Sequence, residues 1–166
     1  MPDPDNVRDR ILIFIEKNPG MHFREIQRQT GTAVGQLEYH LYTLEKDGRI
    51  KGEKDGKFVR YFPLSEGSFQ NMILFLVRNL TKREIIFKLL KEDIPEEKLF
   101  PGSERKRKVT LMILQELESL AIVTKKEDNG QAIYCINNRD RIIETLVKYR
   151  ESFLDYASSN FINLFR

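Results

Sequence analysis

Residues 22–62 read HFREIQRQTGTAVGQLEYHLYTLEKDGRIKGEKDGKFVRYF. This stretch decides the fold, because it predicts two helices joined by a tight turn and then a β-hairpin. Phe23 and Ile26 are the apolar anchors of a short first helix. Gly31 ends that helix, since glycine interrupts a helical pattern and tolerates the left-handed conformation of a helix terminus.

The second helix of the stretch is predicted over residues 33–45. Thr32 is its expected N-cap, because a threonine hydroxyl can accept a hydrogen bond from an unpaired backbone N–H. Leucines at spacings i, i+4 and i+7 form one buried stripe along it, namely Leu37, Leu41 and Leu44. Asp47 and Gly48 end the helix, with Gly48 suited to the left-handed position after the last turn.

A hairpin follows the second helix. Two strands are expected at residues 49–53 and 57–62, on either side of Lys54-Asp55-Gly56. Glycine in such a turn supplies the positive φ that hairpin turns require. Pro63 then ends the second strand, because proline lacks the N–H that a further ladder bond would need.

Two helices, a turn and a hairpin form the winged helix-turn-helix arrangement. The string YHLYTLEKDGRI, residues 39–50, resembles the end of the recognition helix in ArsR-like and MarR-like winged-helix regulators. Residues 5–63 together resemble the winged-helix transcription regulators of archaea. The resemblance implies duplex DNA as the partner and a recognition helix that enters the major groove.

The rest of the chain predicts a second domain of the same kind. A first helix is expected over residues 3–17, with Asp3 as cap and Pro4 at its first position. An apolar helix over 68–79 follows the first hairpin, and the pattern then restarts with helices at 81–90, 94–100 and 103–120 and a hairpin around Asn129-Gly130. We therefore expect a mainly α fold with small β-hairpin wings, in which two tandem winged helix-turn-helix domains occupy residues 1–64 and 65–137.

A long C-terminal helix is predicted over residues 138–165, which contain no Gly or Pro. Its broad apolar stripe needs a partner, and we expect a second copy of the chain, as in ArsR-like families that dimerise through terminal helices. Packing back onto residues 68–79 is the alternative. The residues predicted to form the dimer interface are Met112, Ile113, Leu146, Tyr149, Phe153, Tyr156, Phe161 and Phe165.

Two groups of side chains in the first domain are candidates for DNA contact. The helix contributes polar residues opposite the leucine stripe, where Gln can bond adenine and Tyr or Thr can contact phosphates or a thymine methyl. The hairpin contributes cations that would displace counterions from phosphates. The candidates are Thr32, Gly35, Gln36, Tyr39, His40, Thr43, Arg49, Lys54, Lys57 and Arg60; a solvated helix face and an ordinary exposed hairpin are the alternatives.

The second domain differs at its recognition helix. Four cations, Arg105, Lys106, Arg107 and Lys108, stand at the helix start, where the helix dipole disfavours positive charge, so a phosphate partner would offset the misfit. Aligning the leucine stripes places Val109, Met112 and Ile113 where the first domain has Gln36, Tyr39 and His40. We hypothesise that this second helix has exchanged base contacts for protein packing, across a dimer.

Composition excludes several classes of function. The chain has 166 residues, 40% of them hydrophobic and 32% charged, and no apolar run long enough to cross a membrane. No secretion signal is recognisable, and Cys135 is the single cysteine, so we expect an intracellular, cytoplasmic protein without a disulfide. Two histidines and one cysteine do not favour a metal site, and no phosphate-binding loop, HExxH or GxSxG motif predicts an enzyme or a cofactor.

The sequence thus predicts a sequence-specific, repressor-like transcription regulator that binds double-stranded DNA as a homodimer. The net charge of +3 is modest, and residues 1–67 carry equal numbers of acidic and basic residues. That balance keeps open an alternative, in which the tandem winged helices are a protein-interaction module of a larger assembly. A sensor of a small apolar effector is a third candidate.

Overall fold

The computed structural model describes residues 6–99 and 102–156. Within them the chain forms two compact units: the first comprises the described residues up to Leu76 together with Thr145–Asp155, and the second comprises Val77–Glu144. The chain passes from the first unit to the second between residues 76 and 77, and returns between residues 144 and 145. Residues 65–76, predicted to belong with the second domain, therefore group with the first unit.

The architecture is mixed, with α-helices and two small antiparallel sheets. In chain order the first part contains α1 (Val7–Lys17), β1 (Met21–His22), α2 (Phe23–Thr30), α3 (Val34–Lys46), β2 (Ile50–Asp55), β3 (Phe58–Pro63) and α4 (Ser68–Arg78). The remainder contains α5 (Leu80–Lys91), β4 (Ile94–Pro95), α6 (Glu96–Leu99), α7 (Glu104–Ser119), β5 (Val123–Asp128), β6 (Gln131–Ile136), α8 (Arg139–Lys148) and a 3₁₀ helix (Arg150–Tyr156).

The first unit has a core built from one face of each of its first three helices. Its fully or nearly buried members are Ile11, Leu12, Ile15, Met21, Ile26, Leu37, Leu41, Leu44 and Ile50. The predicted leucine stripe of α3 is thus confirmed, with all three leucines at most 2% exposed. Beside this core lies a three-stranded sheet in the order β1-β3-β2. Strand β1 was not predicted, because a strand of two residues has no alternation to detect.

Helix α1 begins later than predicted. Asn6 is the N-cap, and its side-chain oxygen accepts a hydrogen bond of 2.9 Å from the backbone N–H of Arg8. Asparagine is among the most favourable capping residues, so the extended backbone of Asn6 fixes the start at Val7. The predicted cap, Asp3, and the predicted first helical residue, Pro4, lie outside the described residues.

The turn between α2 and α3 corrects the role of Thr32. Gly31 adopts the left-handed conformation with φ 65°, as a glycine at the end of a helix was predicted to do. Ala33, however, is the N-cap of α3, and no side chain supplies a capping hydrogen bond there. Thr32 is only 4% exposed, and its hydroxyl lies 2.9 Å from that of Thr30. The threonine pair therefore fills the turn instead of capping the helix.

The second unit has a sheet in the order β4-β6-β5, the same relative order as in the first. The predicted hairpin is confirmed: Asp128 pairs with Gln131, and Asn129 and Gly130 between them have φ of 50° and 79°. Cys135 on β6 is buried, and burial raises the pKa of its thiol, as is typical of a structural cysteine.

The C-terminal helix is shorter than predicted. Helix α8 ends at Lys148, and residues 150–156 form a 3₁₀ helix, so the expectation of one continuous α-helix is wrong over that range. Leu146, Tyr149 and Phe153 are at most 6% exposed within the chain. Phe161 and Phe165 lie outside the described residues. In the part of the chain that the structure describes, no helix is long and apolar enough to cross a membrane.

Candidate nucleic-acid interface

The outward face of α3 carries two exposed tyrosines. Tyr39 is 65% and Tyr42 is 66% exposed, although each has a large ring that burial would favour. Both lie opposite the buried leucine stripe, because residues three and four apart share a helix face. Gly35 lies on the same face near the helix start, and a Cβ added there would meet nothing within 4 Å. The face is therefore open and aromatic, with a small residue at its N-terminal end.

The other predicted α3 residues differ in accessibility. Gln36 is exposed, as predicted. Thr43 is half-buried, and its hydroxyl donates to the carbonyl oxygen of Tyr39 at 2.8 Å, so the helix already uses that donor. His40 is also half-buried and packs edge-on against the Tyr39 ring, at 5.4 Å between ring centroids. Its Nδ1 is buried and has no hydrogen-bond partner in the described residues. In this position His40 packs against Tyr39 and does not offer that nitrogen to a base.

The β2–β3 hairpin is tied directly to α3. The carboxylate of Glu45 accepts a hydrogen bond of 2.8 Å from the backbone N–H of Gly52. A Cβ on Gly52 would lie only 2.7 Å from that same carboxylate oxygen and 2.9 Å from Val59. The close approach thus depends on glycine at position 52. It holds the wing against the C-terminal half of the recognition helix.

The wing presents three free-standing candidates among its predicted cations. Arg49, Lys54 and Lys57 are exposed. Arg60, by contrast, donates from Nε to Asp55 at 2.6 Å and from Nη1 to the carbonyl of Gly20 at 2.8 Å. Its side chain is 12% exposed, so Arg60 stabilises the hairpin.

The wing turn lies one residue beyond the predicted position. Asp55 pairs with Phe58, so Gly56 and Lys57 form the two-residue loop, and Gly56 has the expected positive φ of 62°. The shift brings Phe58 to the start of β3, where it is 56% exposed and lies 5.5 Å from the ring of His22. The wing tip therefore combines a cation with an exposed aromatic ring.

Two residues of this surface were missed from the sequence. Tyr42 and Lys46 share the exposed face with Gly35 and Tyr39 at i+3 and i+4 spacings. Their position follows from the leucine stripe. Because residues 37, 41 and 44 define the buried face, the opposite face of the helix carries residues 35, 39, 42 and 46. The predicted outward face was centred nearer to Gln36 and His40, which lie at the border with the buried side.

The corresponding helix of the second unit, α7, has a different face. The four cations from Arg105 to Lys108 are all exposed, and Ser103 is the N-cap of the helix, although without a side-chain hydrogen bond. Met112 is 69% and Val109 is 44% exposed, which places apolar side chains outward. Ile113, by contrast, is only 9% exposed within the chain. No group of three or more His, Cys, Asp and Glu residues able to hold a metal occurs among the described residues.

Comparison with known proteins agrees with this geometry. Residues 5–74 match the family model of an N-terminal HTH domain, which covers α1 to α3, the wing and part of α4. An uncharacterized HTH-type transcriptional regulator of Methanocaldococcus jannaschii is 29% identical over 147 residues, which is 89% of this chain. The chain spans 36% of the length of that relative. Residues 5–74 are thus similar in sequence to an N-terminal helix-turn-helix domain.

Proposed function

We propose that the chain binds double-stranded DNA in a sequence-specific manner and regulates transcription. One observation carries the proposal: α3, in a matched helix-turn-helix domain, exposes about two-thirds of Tyr39 and Tyr42 beside exposed wing cations. Burying an aromatic ring is energetically favourable. Two exposed tyrosines on one helix face therefore indicate a surface that a binding partner covers.

The geometry supports a specific docking mode. Helix α3 enters the major groove, where Tyr39 and Tyr42 contact base edges, thymine methyls and phosphates, and Gln36 reaches adenine. Gly35 lets the helix start approach the DNA backbone. Arg49, Lys54 and Lys57 contact phosphates beside the groove, which fixes the register without reading sequence.

The finer features of the proposal concern the second unit. Its repeated order of helices and its matching sheet order support a second winged helix-turn-helix domain, and the exposed Met112 supports a role in dimerisation. Repression by occlusion of a promoter is the outcome we favour, with the ArsR-like or MarR-like subtype as a further inference from the resemblance. Met112→Glu should reduce the sedimenting mass while leaving sequence preference intact, with Gln115→Glu on the same helix as its control; an unchanged mass contradicts the dimer.

A binding titration tests the central proposal. Selection from a random duplex pool yields a preferred sequence, and its affinity is compared with that of random duplex at about 50 and about 200 mM salt. DNA binding predicts a clear loss of affinity at the higher salt, with a log–log slope of roughly −0.9 for each phosphate contact. A protein-interaction module predicts negligible affinity at both salt concentrations, and that result would overturn the proposal.

Variants separate sequence reading from phosphate contact. Tyr39→Ala and Tyr42→Ala should each cost about 1–3 kcal/mol of preference for the selected sequence over random duplex. Lys57→Ala should weaken binding to both duplexes equally and lower the salt slope by about 1. Leu64→Ala, at an exposed residue after the wing, is the control and should change neither quantity. Equal effects of the tyrosine and lysine variants on preference would contradict the division of roles.

A further inference from the structure

A groove in the second unit lies between α5 and α7. Its volume is about 640 Å³, within the range of small-molecule sites in proteins. Part of its lining is apolar, with Ile85 and Leu99 buried at 6% and 4% exposure and Val109 at 44%. None of these residues belongs to the DNA surface proposed above.

Cations line the same groove from two helices. Lys88 of α5 and Arg105 and Lys106 of α7 all border it, and Glu84 is the acidic residue among those that line it. The groove also reaches Ser103 at the start of α7, where the helix dipole is positive and the serine side chain makes no capping hydrogen bond. Three cations and one carboxylate therefore line a mostly apolar cleft.

The four consecutive cations of α7 do not act as one patch. Successive helical residues are rotated by about 100°, so they point to different sides of α7. Arg105 and Lys106 border this groove, whereas Arg107 borders another cleft beside Glu97 and Gln131. Lys108 lines neither of them. The helix dipole disfavours cations at the start of α7. An anion in the groove, paired with Arg105 and Lys106, would offset that cost for two of the four.

We propose that the α5–α7 groove binds a small amphiphilic anion, with a carboxylate or sulfonate head on an apolar body. The head pairs with Lys88, Arg105 and Lys106, and the body covers Ile85, Leu99 and Val109. An inorganic anion would leave the apolar wall exposed to water, and a neutral apolar molecule would leave the cations unpaired. The combined chemistry selects a ligand that has both parts.

The test uses the full chain and two named probes. Anilinonaphthalene sulfonate, whose fluorescence rises in apolar surroundings, is titrated first, and decanoate is then used to displace it. Decanol, which has the same apolar body without the charge, is the matched competitor. The proposal predicts saturable fluorescence, displacement by decanoate and much weaker displacement by decanol.

Charge-reversal variants locate the site. Lys106→Glu should weaken decanoate binding by about tenfold or more, because a charge-assisted contact is replaced by repulsion. Lys108→Glu makes the same charge change two residues along the same helix, outside the groove, and should shift affinity by about twofold or less. Lys88→Glu repeats the test from α5, so the result does not depend on one variant folding. Cooperative unfolding of each variant confirms that the probe reports the folded chain.

Three outcomes would overturn the proposal. The first is the absence of saturable probe binding to the wild-type chain. The second is equal weakening by Lys106→Glu and Lys108→Glu, which indicates general attraction to positive charge. The third is equal displacement of the probe by decanol and decanoate, which shows that the cations of the groove take no part in recognition. Because all readouts concern the second unit, failure of DNA binding by the first unit would leave this inference standing.

Discussion

Arg60 and Lys57 lie three residues apart on one hairpin and carry the same charge, yet the structure gives them different roles. Arg60 bonds Asp55 and the carbonyl of Gly20, with a side chain only 12% exposed, whereas Lys57 stands in solvent at the turn. Sequence alone could not separate them, because both fit the pattern of a basic wing. The partners that distinguish them come from the opposite strand and from the loop before β1.

This difference gives a prediction about stability. Arg60→Ala should lower the free energy of unfolding by about 1–3 kcal/mol, since it leaves a buried carbonyl and a carboxylate without their donor. Lys57→Ala, its matched control, should change stability by less than about 0.5 kcal/mol. Urea unfolding followed by circular dichroism measures both. Equal stability of the two variants would mean that the Arg60 contacts contribute nothing net.

Thr32 and Tyr42 show the limit of residue-level prediction in both directions. A threonine before a helix predicts an N-cap, but the Thr32 hydroxyl is buried and lies within hydrogen-bond distance of the Thr30 hydroxyl. Tyr42 was not among the predicted contacts, although helical spacing places it opposite the leucine stripe. Local competition between hydrogen-bond partners decided the first case, whereas helix geometry alone would have been sufficient for the second.

At the scale of elements, α3 contains a glycine that its own fold does not require. Gly35 lies at the second helical position, has no positive φ, and would accommodate a Cβ without contact. Glycine inside a helix costs roughly 0.5–1 kcal/mol relative to alanine. A residue that weakens its own helix is explained if a partner approaches the backbone there, as the proposed DNA complex requires.

Gly35→Ala should therefore raise stability and lower DNA affinity. We expect the free energy of unfolding to rise by about 0.5 kcal/mol and affinity for the selected duplex to fall about tenfold. Gly31→Ala is the contrasting variant: its φ of 65° strains any L side chain, so stability should fall by about 1 kcal/mol. Chemical unfolding and fluorescence anisotropy measure the two quantities. Full DNA affinity in Gly35→Ala would show that the backbone does not approach DNA at this point.

The elements with strong periodic patterns were predictable. The leucine stripe of α3 and the Asn129-Gly130 hairpin were located correctly, because burial on one face and a two-residue turn each leave a local record in the sequence. The short strands β1 and β4 were missed. Each pairs with a strand distant in sequence, so its position depends on tertiary contacts and has no periodic pattern.

At the scale of the whole molecule, the segment Thr145–Asp155 joins the first unit although it follows the second in sequence. The apolar stripe correctly predicted that Leu146, Tyr149 and Phe153 would be buried. It could not identify the partner, because burial against the same chain and against a second copy require the same side chains. Dimerisation through these residues therefore stays a prediction.

Glu66 and the end of α8 hold part of this segment within the first unit. The carboxylate of Glu66 accepts a hydrogen bond of 2.6 Å from Lys148 and is also bonded by the Tyr149 hydroxyl. Burial by itself would raise the pKa of Glu66, but the hydrogen bonds from Lys148 and Tyr149 outweigh it and lower the pKa below the ordinary value of 4.5. Burial and the Glu66 carboxylate together raise the pKa of the Tyr149 phenol, which keeps it protonated as a donor.

The lowered pKa of Glu66 makes its contribution to stability depend on acid. The folded chain binds this proton less readily than the unfolded chain, so the contribution is complete above pH 4.5 and is lost as pH falls through the lower folded pKa.

Glu66→Gln should reduce the free energy of unfolding by about 1 kcal/mol near neutral pH, a modest value because Lys148 is more than half exposed. In acid, as the pH falls through the folded pKa of Glu66, the two proteins should approach equal stability. Urea unfolding at both pH values measures the difference, with Glu53→Gln, which removes the exposed wing pair with Lys51, expected to change little at either pH. A difference between wild type and Glu66→Gln that persists unchanged in acid would show that the carboxylate charge is not what anchors Thr145–Asp155.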